Sequence, residues 1–238
     1  MVGVGKMTLG EKCAFSVWHD DCLWKSTAAV RQMTKLPRSM PQGKTDTTSQ
    51  EGIMASVDYD INKELGECYL FMGEYDKARD YYTKAVSCDS TMSEPYMGLA
   101  AIAVSKGELD DAYALYSKAN AVAPGEKPLT GLGMIEVEQG KYAEAFGHFS
   151  AALDYNPGNM MVVNSLLQLG HVLGRLPEVI PHLEAALEPG DTEAVRFALA
   201  ACLLSVGRED DAKSHLEILL GANPANDSAK QLYAQFAA

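Results

Sequence analysis

Tyr96–Pro124 reads YMGLAAIAVSKGELDDAYALYSKANAVAP. An apolar, helix-like run leads to Gly107. A second, amphipathic run follows with Ala112, Tyr116 and Ala119 on one side, and Pro124 stops it. Periodicity of this kind predicts two helices joined by a glycine turn. A hairpin alone leaves an apolar face bare, so it needs neighbours built like itself.

Working outward, those neighbours are present. Gly73, Gly107, Gly140, Gly174 and Gly207 are separated by 34, 33, 34 and 33 residues. Eight residues before each glycine stands Leu65, Leu99, Leu132, Leu166 or Leu199, followed by Gly66, Ala100, Gly133, Leu167 or Ala200. Five after comes Ala78, Ala112, Ala145, Val179 or Ala212, and nine after comes Tyr82, Tyr116, Phe149, Leu183 or Leu216. Twelve after comes Ala85, Ala119, Ala152, Ala186 or Leu219, and seventeen after comes Ser90, Pro124, Pro157, Asp191 or Pro224. The large groups fill each hairpin, and small ones sit where two helix backbones approach. Glycine ends the first helix in a left-handed conformation, and proline stops the second.

This pattern resembles the tetratricopeptide repeat (TPR) family over about 70% of the chain, roughly 59–92, 93–125, 126–159, 160–192 and 193–226. The resemblance implies an all-α fold, a right-handed α-α superhelix (solenoid) of about five helical hairpins. There are departures. The family's early tryptophan is replaced by Asn62, Tyr96, Leu129, Val163 and Arg196, and repeat one lacks its closing proline. Repeat four carries Pro177 and Pro181; Pro177 fits a helix start, whereas Pro181 is expected to shorten or shift the helix. After Pro224, ANDSAKQLYAQFAA reads as a capping helix over 227–238, with Asn226 or Asp227 as its cap and Leu232, Tyr233 and Phe236 covering the last repeat.

Residues 1–50 share no period with this array and form a basic leader ahead of a 51–238 solenoid. They hold seven Lys/Arg against four Asp/Glu, a balance of +3; the whole chain is at -12, so the rest is at -15. Residues 11–36 form an amphipathic pattern with Phe15, Trp18, Cys22, Val30 and Met33 on one side. A Pro-, Gly- and Thr-rich stretch over 36–52 then reads as a flexible linker. Both tryptophans, Trp18 and Trp24, lie in the leader. Cys13, His19 and Cys22 have no regular metal spacing and no fourth ligand, so no metal and no cofactor is expected.

No secretory signal or membrane span is legible, and five cysteines without a CxxC pair fit a reducing, cytoplasmic setting. The acidic body argues against nucleic acid as a partner. His148, His171, His182 and His215 lie in separate helices with no nucleophile placed beside them by sequence, so the chain is not expected to be an enzyme. Cys68 and Cys202 occupy one repeat place, shared with Ile102, Ile135 and Leu169, and read as small core groups. Acids at Glu108–Asp111 and Glu209–Asp211 fall at second-helix starts, where the dipole favours them.

Family resemblance further implies that first helices line a groove for a peptide or partner helix. Its places map onto Lys63 and Glu67, Met97 and Ala101, Lys127, Thr130 and Met134, then Asn164, Gln168 and His171, and finally Phe197. Asn164 and Gln168, one turn apart, suit a peptide backbone, and the methionines tolerate varied shapes. The family's chaperone-tail clamp is not expected: Lys63 and Lys127 match it, but Glu67 and Gly98 stand at its asparagine places and Gly131 at its arginine place. The expected role is therefore an adaptor or assembly factor that binds another protein. The alternative is a self-assembling scaffold whose leader occupies its own groove or a neighbour's.

Overall fold

The computed structural model describes residues 47–188 and 192–237. The expectations for the amphipathic pattern at 11–36, for Cys13, His19 and Cys22, and for most of the linker lie outside those residues. Everything described is helical: eleven α-helices and one short 3-10 turn, with no strand among the described residues. The chain divides after Ala123 into two compact units.

The first unit contains α1 (Thr47–Phe71), α2 (Tyr75–Cys88), α3 (Glu94–Lys106) and α4 (Leu109–Val122). Helix α1 begins inside the stretch expected to be linker, because no proline stands between Thr47 and the periodic residues to stop a helix growing back from them. Tyr82 fills the hairpin core, wedged between two glycines. A Cβ on Gly66 would lie 2.8 Å from its ring, and one on Gly98 would overlap the same ring. Small residues beside the large ones are thus a steric requirement.

The second unit contains α5 (Glu126–Glu138), α6 (Tyr142–Tyr155), α7 (Met160–Leu173), α8 (Leu176–Leu187), α9 (Glu193–Ser205), α10 (Glu209–Ala222) and α11 (Asp227–Tyr233). Its core runs without a break from Leu129 through Phe149, Leu153, Leu166 and Leu183 to Leu199 and Leu203. Pro181 lies inside α8, beyond the first turn, and the helix passes through it at 12 residues against 14 for α6 and α10. Neighbouring packing at Val179, Ile180 and Leu183 holds a turn that has lost one backbone donor. Leu232, Tyr233 and Phe236 pack over Ala200, Leu216 and Leu219 and close the end of the array.

Each hairpin turn has the same geometry. All five turn glycines have positive φ, between 68° and 78°. The residue after each returns its N–H to the carbonyl five positions earlier: Glu74 to Tyr69, Glu108 to Ala103, Lys141 to Glu136, Arg175 to Gly170 and Arg208 to Leu203, at 2.7–2.9 Å. A left-handed residue followed by this bond is the Schellman stop, which any Cβ would strain.

The joints between hairpins in the second unit use asparagine twice over. In Asn156–Asn159 and Asn223–Asn226 the first side chain accepts from the backbone two residues on, bracing the turn. The last caps the following helix: Asn159 Oδ1 accepts from Met161 and Val162, and Asn226 Oδ1 accepts from Ala229. Their amide groups then donate backward, Asn159 to Glu126 and Asn226 to Glu193, the first residues of α5 and α9. Of the two caps open in the sequence for α11, Asn226 is the one used.

Candidate functional site

The site expected from the sequence lies on first helices, so each unit is taken separately. In the first unit Lys63 and Glu67 stand one turn apart on α1, and Lys63 pairs with Glu64 at 3.6 Å. Met97 on α3 is a core residue, packed with Tyr96 and Ala119, so it presents little surface. Ala101, one turn on, is half-buried.

In the second unit Thr130 on α5 is buried, its hydroxyl without a hydrogen-bond partner. It belongs to the packed side of the helix, because Pro128, Leu129, Gly131 and Leu132 around it are buried as well. Met134 and Met161 are partly buried against the core. Lys127 is exposed at the start of α5, and Phe197 on α9 packs beside Leu216 and Leu220. Asn164, Gln168 and His171 are exposed together on α7. At 3.6 residues per turn they span an arc of about 60°.

Val172 adjoins them and is 67% exposed, an apolar group beside three polar ones. Sequence reasoning passed over it, although its place four residues beyond Gln168 was the available signal.

A second pattern was also missed. His148, His182 and His215 each stand eight residues after a turn glycine, so three successive repeats present an imidazole at one place. Each is held differently. His148 Nδ1 lies 2.6 Å from the Glu136 carboxylate, which is only 2% exposed. His182 Nε2 meets Ser150 Oγ at 2.7 Å, so a serine does stand beside a histidine. His215 Nδ1 lies 3.2 Å from the Arg196 guanidinium. Guanidinium has only donors, so this Nδ1 accepts and the ring is neutral. Burial, and then the Arg196 charge, hold His215 below the usual histidine range. These contacts tie helices together within the array: α5 to α6, α6 to α8 and α9 to α10.

Cys202 is buried as expected, and its thiol is pushed up to about 11 by burial. Cys68 corrects the expectation: it is exposed. Cys88, the last residue of α2, is also exposed. The acids at 110–111 and 209–211 fall in the first turns of α4 and α10. Among the described residues no group of three His, Cys, Asp or Glu side chains is placed to hold a metal ion. No helix among them is long and apolar enough to cross a membrane.

Stacked hairpins of near-constant length, closed by the same stop, define an all-α helical-repeat protein. Known proteins sharpen this. A tetratricopeptide repeat model matches residues 60–91 and a second matches 130–194. Among solved structures, YrrB, described as a TPR protein with an unusual peptide-binding site, is 17% identical, with 71% of this chain and 89% of that one covered and a TM-score of 0.51. PilF of Pseudomonas aeruginosa is 19% identical over 76% of this chain and 91% of that one, with a TM-score of 0.53. MamA is 17% identical over 69% and 91%, with a TM-score of 0.51. At such identities the likeness concerns the fold. No curated protein sequence matches the chain. The chain thus carries tetratricopeptide repeats, and its all-α fold of helical hairpins is the one those repeats build.

Proposed function

We propose that this chain is a protein-interaction module, an adaptor or assembly factor that binds an extended peptide or a helix of a partner along the first helices of its second unit. The observation that carries this is the exposed face of α7, where Asn164, Gln168 and His171 stand beside Val172. Amide side chains donate and accept at once, so they suit an unpaired peptide backbone, and Val172 offers apolar contact. Lys127, Met134 and Phe197 on the flanking first helices extend the surface. A peptide-binding site in YrrB, on the same fold, supports the class of ligand. Excess acid on the body disfavours nucleic acid as the ligand. The proposal assigns no catalytic step.

The test is capture of partners by the full chain, compared with a Met134→Glu, Asn164→Ala double variant. A specific partner bound by the parent should be lost or weakened by at least about 2 kcal/mol, as for removal of an interface anchor. Undiminished capture by the double variant, with its helicity intact by circular dichroism, refutes the proposed surface.

A further inference from the structure

Helix α1 carries an apolar stripe that no described residue covers. Val57, Ile61 and Cys68 share one face with Phe71 and with Met72, just past the helix end. Val57 is 49% exposed, Ile61 45%, Phe71 65% and Met72 59%. The stripe spans an arc of about 100° and a length of about 22 Å, from the helical repeat and rise.

Comparison with the other repeats shows that two of these places, those of Ile61 and Cys68, are built to be covered. Ile61 stands twelve residues before its turn glycine, and the same place holds Pro95, Pro128, Val162 and Val195, all buried. Cys68 stands five before, and the same place holds Ile102, Ile135, Leu169 and Cys202, all buried. In repeats two, four and five the second helix of the preceding hairpin packs against that first helix: α2 on α3, α6 on α7 and α8 on α9. Only repeat one leaves them open. The missing piece is therefore one amphipathic helix in the position of a preceding second helix.

The chain itself supplies a matching segment. Residues 11–36 place Phe15, Trp18 and Cys22 at helical spacing and hold four Lys/Arg against three Asp/Glu, within a 1–50 leader at +3. The α1 stripe is bordered by Asp58, Asp60 and Glu67, and Glu64, which pairs with Lys63 at 3.6 Å, interrupts it between Ile61 and Cys68. Apolar would meet apolar, and basic would meet acidic. Reach is sufficient: the residues between Leu36 and Thr47 extend to about 35 Å, and the near end of the stripe lies about 15 Å along α1 from Thr47.

We propose that residues 11–36 return along α1 and cover the stripe formed by Val57, Ile61 and Cys68, taking the place that a preceding second helix holds in the later repeats. This leaves the α7 face free, and it holds whether or not that face binds a partner.

Tryptophan fluorescence reads the docking directly, since Trp18 and Trp24 are the chain's two tryptophans. In a full-length Trp24→Phe chain, Trp18 should emit at the short wavelengths of a buried indole and resist acrylamide quenching at every protein concentration. A Val57→Ser, Ile61→Ser double variant in that background should lose both properties while its helicity stays unchanged. Emission typical of free indole in the parent overturns the proposal. So does protection that survives V57S/I61S but is lost in the Met134→Glu, Asn164→Ala chain, which would place the leader on the α7 side. Protection that disappears on dilution together with a dimer mass in sedimentation also overturns it, in favour of a second copy as the occupant.

Discussion

The two units solve one packing problem with different materials. In the first, the large group nine residues after the turn glycine is tyrosine, Tyr82 and Tyr116, and the core falls into separate pockets around Ala78, Tyr82 and Ile102 and around Tyr96, Met97 and Ala119. In the second it is Phe149, Leu183 and Leu216; one cluster runs from Leu129 through Phe149 and Leu183 to Leu203 and Ala212, and Leu216 joins Ala200, Leu219 and Ala229 in a smaller one at the end of the array. Side chains with no polar atom interdigitate along the stack. A tyrosine core depends instead on a local fit, as between Tyr82 and the two glycines that admit its ring. Periodic sequence thus specifies where a core group stands, and its chemistry sets how far cooperativity extends along the array.

Truncating the equivalent rings should give the largest effect and the sharpest contrast. Phe149→Ala should cost about 3–5 kcal/mol, like other buried aromatic truncations. Hydrogen exchange should accelerate together from α5 to α9. Tyr82→Ala should be comparably costly but open only α1 to α4. If Tyr82→Ala accelerated exchange equally in α7 and α9, the contrast between the units would be broken.

At the joints the expected effect is smaller. Asn226→Ala removes the α11 cap and should lower stability to urea by about 1 kcal/mol. Asn226→Asp keeps an oxygen for the cap but sets a carboxylate against Glu193, so its loss should shrink as salt is raised. An Asp variant as stable as the parent at low salt would show that the amide's grip on Glu193 contributes nothing.

The smallest effect concerns pH. The folded chain holds His215 below its ordinary value of 6.5, so the unfolded chain binds more protons in the window beneath 6.5. Stability should be full above that pH and decline as pH falls through the window. The urea midpoint of His215→Asn should depend less on pH there; an unchanged slope would remove His215 as its source.

Much of the fold was legible because each repeat place recurs five times. The turn glycines, Leu166, Leu199, Ala78 and Ala112 perform the same packing task wherever they fall. The candidate site was less legible. A position within a repeat does not reveal which face of a helix its neighbours cover, so Met97 and Thr130 look like surface in sequence and are core in the fold. Cys68 failed in the opposite direction: its place is buried in repeats two to five, whereas no described residue covers it in repeat one. The histidine series escaped notice because its members bond to unlike partners, Glu136, Ser150 and Arg196, leaving no shared motif beyond the spacing.

The double use of Asn159 and Asn226 also has a mechanical consequence. Each side chain ties the start of one first helix to the start of the next, across the length of a hairpin. The joint before α9 relies on the Thr192 hydroxyl, which accepts from Val195 at 3.3 Å and has no amide to reach backward. Under a pulling load the second unit should therefore part first between α8 and α9, with the hairpins on either side still latched.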